Sequence, residues 1–402
     1  QRSSGPSSVR ATAFVLRNSL NLFSNFTYFL DDPDNGDQFE QAERRVAAGG
    51  RVTYRRLGHF LERHAESAVG VQLRRDWLDP VGLYHTAARQ RLSTTREDRV
   101  GQTMVGVYAQ SEVEWTRWMR TTQGIRTDGY QFSVTSDNPL NSGSGSDAMV
   151  SPKFAAIFGP WAATEFYVNA GMGFHSNDAR GATITVDPAT GEPAERVTPL
   201  ARAKGIEGGV RTVAVRGLQS SLTVWSLNLD SELIFVGDAG STDAGRPSHR
   251  HGIEFANYYS PTPWLTLDFD WTWSHGHFTD SDPAGDSIPG AAQTVVSAGA
   301  AVDDVNGVFG SVRLRYFGPR PLIEDDSVRS EATAIANLQA GYRITPRIKV
   351  ALDIFNLFDA EDSDIDYYYA SRLPGEASDG VDDIHLHPAL PRTARVNLIV
   401  GF

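Results

Sequence analysis

Ala394-Arg-Val-Asn-Leu-Ile-Val-Gly-Phe402 is the stretch of sequence that decides the fold. Its apolar residues occupy every second position, at Ala394, Val396, Leu398, Val400 and Phe402. Because successive side chains of an extended chain point to opposite faces, this period of two predicts a strand with one apolar side. One such strand fits many β proteins, so the class of the protein depends on the residues before it.

The composition excludes several classes of protein. The chain has 402 residues and a formal net charge of −12, which leaves no basic surplus to neutralise the phosphates of a nucleic acid. It has no cysteine, so disulfide frameworks and thiol chemistry are absent. No run of 18 apolar residues predicts a membrane helix, but a membrane-spanning strand needs only about 9–11 residues of alternating polarity. A single large barrel of this length is therefore compatible with the composition.

Short turns alternate with long loops along the whole chain. We predict about 17 strands, with a tight turn at Asn18 and an irregular segment over residues 77–99. The predicted strands cover residues 9–17, 19–30, 44–56, 65–76, 101–114, 118–134, 148–158, 164–175, 203–216, 218–235, 249–259, 264–277, 292–302, 308–317, 331–343, 348–358 and 392–402. Short periplasmic turns and long extracellular loops are typical of outer-membrane barrels, so the sequence predicts an all-β, antiparallel, up-and-down transmembrane barrel.

Two further patterns favour a barrel in a membrane. Aromatic and aliphatic residues alternate with polar ones in predicted strands such as 264–274, where Asp268 and Asp270 share the polar face. Arg313 and Arg315 lie on the polar face of another strand, and we predict that they balance these acids in the lumen. Four of the eight tryptophans flank predicted short turns, as an aromatic girdle at a membrane interface would; they are Trp115, Trp118, Trp161 and Trp264.

Several motifs resemble the barrel of TonB-dependent outer-membrane receptors, and the last two are the most diagnostic. They are Phe174-His-Ser-Asn-Asp-Ala-Arg-Gly181, Tyr258-Tyr-Ser-Pro-Thr-Pro-Trp-Leu-Thr-Leu-Asp268, Gly318-Pro-Arg-Pro-Leu322, Asn356-Leu-Phe-Asp359 and Pro391-Arg-Thr-Ala-Arg395. The resemblance implies a 22-stranded barrel with an N-terminal plug, which imports scarce nutrients with energy passed from the inner membrane. We expect residues 1–402 to be one barrel domain holding the sixth to twenty-second strands, without the plug and TonB box.

The resemblance also implies a location and partners. We expect a receptor in the outer membrane of a Gram-negative bacterium, surrounded by outer-membrane lipid and assembled by the barrel-assembly machinery, which would read the strand that ends at Phe402. A TonB-type energy-transducing protein would act only through the plug. The ligand is a small molecule of unknown identity, no cofactor is expected, and nucleic acid is not a partner. A passive porin-like channel and a soluble β-rich binding protein are the alternative functions.

Candidate ligand-binding residues lie where predicted strands open into long loops. His175, Asn177, Asp178 and Arg180 belong to one of the motifs quoted above; they either contact the ligand or fix their loop by hydrogen bonds. The loop over residues 359–391 carries nine acidic residues against one basic residue. Within it Asp362, Asp364, Asp366 and Tyr368 would share one face of an extended chain. This patch would bind a cation or cationic ligand, or would simply be a solvated acidic loop.

His385 and His387 share a strand face and could chelate a metal, although two ligands leave such a site under-specified. The spacing of the acidic residues does not fit an EF-hand, because Tyr367 stands where that loop needs glycine. No Gly-x-Ser-x-Gly, His-Glu-x-x-His or phosphate-binding motif is present, so the sequence predicts that the protein is not an enzyme.

Overall fold

The computed structural model describes residues 2–4, 6–236 and 241–401, and most of them lie in antiparallel strands. The strands are β1 Arg2–Ser4, β2 Ser7–Ser24, β3 Phe39–Phe60, β4 Arg63–Ala87, β5 Gln90–Thr116, β6 Met119–Ser136, β7 Gly143–Trp161, β8 Thr164–Ser176, β9 Leu200–Thr212, β10 Leu218–Leu229, β11 Leu233–Val236, β12 Ser241–Ala244, β13 Ser248–Thr262, β14 Leu265–Phe278, β15 Thr294–Val305, β16 Val308–Phe317, β17 Thr333–Thr345, β18 Ile348–Phe355, β19 Ser363–Ser371, β20 Val381–Pro388 and β21 Thr393–Val400. The one α-helix of the described residues is α1, Ala179–Thr183. Within these residues no helix has the length and apolar character to cross a membrane.

Seventeen of the strands form one sheet in which neighbours in space are neighbours along the chain. β1 to β10 follow one another, then β13 to β18, and β21 pairs with β18. The sheet does not close: among the described residues, β21 pairs on one side only and β2 has the three-residue β1 beyond it. The predicted antiparallel up-and-down fold is confirmed. β11–β12 and β19–β20 form two separate hairpins within long loops.

The two ends of the sheet differ in their connections. At one end, called here the short-turn end, two-residue turns at residues 61–62, 162–163 and 306–307 hold both residues at positive φ. This left-handed backbone matches the twist of paired strands, which explains why such turns join hairpins. At the opposite long-loop end, most connections are long; they cover residues 25–38, 177–199, 230–247, 279–293, 318–332 and 356–392.

The predicted hairpin over residues 9–30 is wrong. β2 runs straight through Asn18, which pairs with Arg45, and its eighteen residues keep an unbroken register with β3. Asn tolerates turn geometry but does not impose it. Continuous pairing with β3 keeps the backbone groups that face β3 hydrogen-bonded along the whole segment, and a reversal at Asn18 would break this ladder.

The predicted irregular segment over residues 77–99 is also wrong. β4 continues to Ala87 and β5 starts at Gln90, with the turn residues Ala88 and Arg89 both at positive φ. Pro80 lies within β4, where the ladder with β5 absorbs it as a bulge between Leu78 and Val81. The two strands thus extend past β6, whose pairing with β5 ends at Ser136 opposite Asp98. The agreement in strand number rests on a different set of strands from the predicted one.

The register assigns one apolar and one polar face to the sheet. Residues paired across strands share a face, so the outward face of β14 continues through Phe269 to Ala298 on β15 and Leu314 on β16. Arg313 on the inward face donates to Asp268, with 2.9 Å between Nη2 and Oδ1, as predicted. At the short-turn end, the rings of Trp118 and Trp161 stack with centroids 6.2 Å apart.

A small apolar core fills the space beneath α1 at the long-loop end. Ala179 of the helix packs with Tyr130, Phe132 and Val134 of β6 and with Met149 of β7. This packing fixes the loop over residues 177–199 against the inward face of the sheet.

Candidate functional site

The long loop before β21 is folded, and it leans on the loop over residues 25–38. Its hairpin β19–β20 is joined to that loop through Arg372, whose N–H donates to the carbonyl of Thr27 at 3.1 Å and whose carbonyl accepts from Phe29 at 3.0 Å. Asn356 holds the base of the loop, because its Nδ2 donates to the carbonyls of Ala360 and Leu390. This buried asparagine has φ +49°, a conformation that asparagine tolerates better than most residues.

An aromatic group, called here the mouth cluster, lies where these two loops meet. It consists of Phe26, Tyr28, Tyr367, Tyr369 and His385. The rings of Tyr369 and His385 stack with centroids 4.1 Å apart and planes within 5°. Tyr28 lies 6.0 Å from His385, and Phe26 meets Tyr369 edge-on at 6.2 Å. Stacked and edge-to-face rings of this kind provide an apolar platform with polar tips.

The predicted acidic residues have separate partners. Asp366 is buried and accepts from Arg320 at 2.8 Å, which joins β19 to the loop over residues 318–332. Asp362 accepts from the backbone N–H of Ala334 at 2.6 Å. Asp364 is exposed and lies 3.9 Å from His387. Because a register shift interrupts the hairpin between residues 363 and 365, the three carboxylates do not present one uniform surface.

Tyr368 and its neighbours line the same hairpin. Tyr368 is half-buried opposite Ile384. Burial raises the pKa of Tyr367, although the positive charge of Arg320 works in the opposite direction. Tyr367 therefore stays neutral at physiological pH.

The two histidines predicted as metal ligands make different contacts. His385 stacks in the mouth cluster, while His387 is exposed beside Asp364. As the side chains are placed, no three His, Asp or Glu residues in the described part of the chain converge on one ion. Metal binding by His385 and His387 stays a prediction.

The predicted ligand-binding residues around His175 lie between the end of β8 and the first turn of α1. Asn177 is buried, and its Nδ2 donates to the carbonyl of Thr198 at 2.8 Å, which ties the two ends of the loop together. Asp178 caps α1 by accepting from the N–H of Arg180 at 2.9 Å, and the side chains of both residues form an ion pair at 2.7 Å. Desolvation raises the pKa of Asp178, but the charge of Arg180 outweighs it and holds the pKa below its usual value. These contacts fit the loop-fixing alternative, and ligand contact by these residues stays a prediction.

A buried charge pair beneath α1 escaped the sequence analysis. Arg96 and Asp98 of β5 pair on the inward face, and Arg180 approaches Asp98 to 3.9 Å. Asp98 Oδ1, Arg96 Nη2 and the Oδ1 of Asn177 are buried without a hydrogen-bond partner among the described residues. The missed signal is an Arg-x-Asp repeat, which puts the charges on one face of a strand and recurs in β4 and β6 as Arg74–Asp76 and Arg126–Asp128.

Comparison with known proteins identifies the family. The sequence model of the family described as "TonB dependent receptor-like, beta-barrel" matches residues 5–357. The chain belongs to this family. Among curated proteins, the sequence has no match. The predicted family and the predicted location in the outer membrane of a Gram-negative bacterium are confirmed, and the family is one of receptors and not of enzymes.

Solved structures of the same architecture support the fold. The ferric-catecholate import receptor Fiu of Escherichia coli K12 has a TM-score of 0.73 and 13% identity; 98% of this chain and 61% of Fiu are covered. The ferric citrate transporter FecA has a TM-score of 0.75 and 12% identity; the match covers 99% of this chain and 60% of FecA. The ferric yersiniabactin receptor FyuA of Yersinia pestis has a TM-score of 0.75 and 13% identity; the match covers 100% of this chain and 60% of FyuA. The chain therefore spans about three-fifths of the length of these three receptors.

Membership of the family of TonB-dependent receptor barrels indicates which end of the sheet faces the periplasm and which faces the outside of the cell. In outer-membrane barrels the short turns face the periplasm and the long loops face the outside. The mouth cluster then lies at the extracellular end, and the Trp118–Trp161 pair lies at the periplasmic interface. Phe402, the predicted assembly signal, lies outside the described residues.

Proposed function

We propose that the chain forms the wall of a receptor that takes up a scarce nutrient, with energy that a TonB-type protein delivers through a plug domain. The single observation that carries this proposal is a receptor-family barrel wall with a charged inward face and folded loops at its extracellular end. Near the periplasmic end of that face, Glu165 pairs with Arg120 at 2.8 Å and with Arg211 at 2.6 Å. Such groups suit a hydrated lumen or a polar plug surface.

The mouth cluster suggests the class of ligand. Tyr28, Tyr369 and His385 offer ring faces for stacking, whereas the surrounding loop over residues 359–391 has eight more acidic than basic residues (nine minus one). We expect the loop to repel strongly anionic ligands and the rings to favour flat aromatic groups. The proposed ligand is a neutral or cationic metal chelate with aromatic rings, and the residues Asp364 and Tyr368 would contact it. The structures named for ferric-catecholate and ferric yersiniabactin uptake support a metal chelate as the cargo, whereas its charge and aromatic rings are inferred from the mouth cluster and the acidic loop.

Binding by the mouth cluster is testable on whole cells. Cells that produce the full receptor would be titrated with two radiolabelled ferric chelates, a neutral aromatic tris-hydroxypyridinonate and an anionic citrate, in a strain without other iron receptors. We expect Tyr369→Ala together with His385→Ala to weaken binding of the neutral aromatic chelate about tenfold, since stacking contributes about 0.5–1.5 kcal/mol per ring pair. Tyr342→Ala, an exposed outward-facing tyrosine at the periplasmic end, is the matched control. Equal binding by all three proteins would contradict the assignment of the ligand site.

The same cells separate a driven receptor from a passive channel. Uptake of the bound chelate should stop when a protonophore collapses the proton-motive force, while surface binding persists. Uptake that continues at an unchanged rate would favour the porin-like alternative and would sink the proposal of energy-dependent transport.

A further inference from the structure

Four histidines cluster on the outward face of the sheet, away from the mouth and the lumen. They are His249 and His251 on β13 and His275 and His277 on β14. In the register His249 lies opposite His277 and His251 lies opposite His275. The same register puts Phe255 opposite Trp271 and Ile253 opposite Trp273, so the histidines continue the outward-facing row of these apolar residues. We call them the histidine quartet.

The four imidazoles form a closed ring of contacts. The centroids of His249 and His251 are 5.4 Å apart and those of His275 and His277 are 5.6 Å apart, both pairs stacked along their strands. Across the strands, His249 and His277 are separated by 5.5 Å and His251 and His275 by 5.6 Å. The β13–β14 hairpin thus holds four of the ten histidines in the chain.

The quartet lies above the lipid-facing band. On the outward face of β14, Leu265, Leu267, Phe269, Trp271 and Trp273 come before His275. The eleven residues from 265 to 275 extend roughly 33 Å along a strand, which corresponds to about 25 Å along the membrane normal at a strand tilt of about 40°. Since the apolar band of such barrels is about 25 Å tall and ends in aromatic residues, the histidines begin where the surface becomes accessible to water.

Two ring nitrogens of the quartet are buried without a hydrogen-bond partner among the described residues. They are Nδ1 of His251 and Nδ1 of His277. The Nε2 of His249 contacts Ser226 Oγ at 2.9 Å. A buried nitrogen left without a partner costs about 1–3 kcal/mol, and a bound ion would remove that cost at two positions together.

We propose that the histidine quartet binds a divalent transition-metal ion of the class that imidazole prefers, Zn²⁺, Cu²⁺ or Ni²⁺. Zn–N bonds of about 2.0–2.1 Å around a tetrahedral ion put neighbouring ring centroids roughly 5 Å apart, near the separations found here. The rings now face one another and do not converge on one ion. Rotation about the side-chain torsions would turn their nitrogens to a common centre without moving the backbone, since all four side chains stand on paired positions of one hairpin.

The adjacent tryptophan provides a direct readout of binding. The ring of Trp273 lies 5.8 Å from that of His251, so a bound Cu²⁺ should quench its fluorescence. The whole chain would be folded in detergent and titrated with Cu²⁺, and with Zn²⁺ in competition. The absence of cysteine excludes thiolate binding. We expect saturable quenching that Zn²⁺ reverses and that Trp273→Phe removes.

A matched pair of variants tests the assignment. His251→Ala with His275→Ala removes one side of the quartet, whereas His59→Ala with His64→Ala removes a cross-strand histidine pair, 4.9 Å apart, at the periplasmic end. The first variant should raise the Cu²⁺ dissociation constant at least tenfold, and the second should leave the Trp273 response unchanged. Heat-modifiable migration of both proteins verifies folding. An unchanged dissociation constant in the first variant, or equal losses in both, would overturn the proposal; because the readout is metal binding in vitro, it does not depend on nutrient uptake.

Discussion

At the scale of single residues, buried charge pairs organise the extracellular loops. Arg320 and Asp366 have side chains exposed by 11% and 6%, and their ion pair joins β19 to the loop over residues 318–332. The alternation of Asp362, Asp364 and Asp366 made them appear equivalent in the sequence. In the structure the three aspartates have different hydrogen-bond or ion-pair partners. These partners depend on how the loops pack, which the period of two in the sequence does not encode.

Asp366→Asn should therefore release the β19–β20 hairpin. Removing one partner of a buried ion pair leaves a charge uncompensated, which costs about 3–5 kcal/mol. Asp364→Asn is the control, because an exposed pair such as Asp364 and His387 contributes only about 0–1 kcal/mol. Limited proteolysis of intact cells should cut residues 372–380 faster in the first variant and at the native rate in the second. Identical cleavage would show that Arg320 does not hold the hairpin.

At the scale of elements, the sequence predicts strands well where alternation is bounded by turns on both sides. The interval from β13 to β18 matches the predicted strands closely, because prolines and glycines mark its connections. The errors at Asn18 and over residues 77–99 arise where local turn signals compete with long, continuous pairing. Only the register with β3 and β5 decides these segments, and pairing of this kind is not local information.

The two-residue turns offer a prediction at this scale. Leu61 and Glu62 have φ of +48° and +62°, which costs residues other than Gly and Asn about 1–2 kcal/mol each, while Asn306 and Gly307 already suit the same geometry. Leu61→Asn with Glu62→Gly should raise the free energy of unfolding by about 1–3 kcal/mol, because relief at two residues is partly offset by the entropy that the new glycine adds to the unfolded chain. Asn306→Leu with Gly307→Glu should lower it by a similar amount. Urea unfolding followed by tryptophan fluorescence measures both. Shifts of the same sign would contradict the argument from turn strain.

At the scale of the whole molecule, topology and family assign a direction to the sheet. The periodicity of β21 and the contrast between short turns and long loops were enough to predict the barrel class. They did not predict the histidine quartet or the pairs beneath α1, because these depend on which strands become neighbours. The candidate sites are therefore visible only once the order of the strands in the sheet is known; knowing which residues form strands is not enough.

The direction of the sheet can be measured with cysteines, because the chain contains none of its own. Ala189→Cys introduces a thiol in the exposed loop over residues 177–199, and Ala162→Cys introduces one in an exposed two-residue turn at the other end. Both changes are small and neither position belongs to a proposed binding site. With a membrane-impermeant maleimide, position 189 should be labelled on intact cells, and position 162 only after the outer membrane is permeabilised. The reverse pattern would place the mouth cluster in the periplasm and would remove the basis of the proposed ligand site, whereas the strand pairing itself would stand.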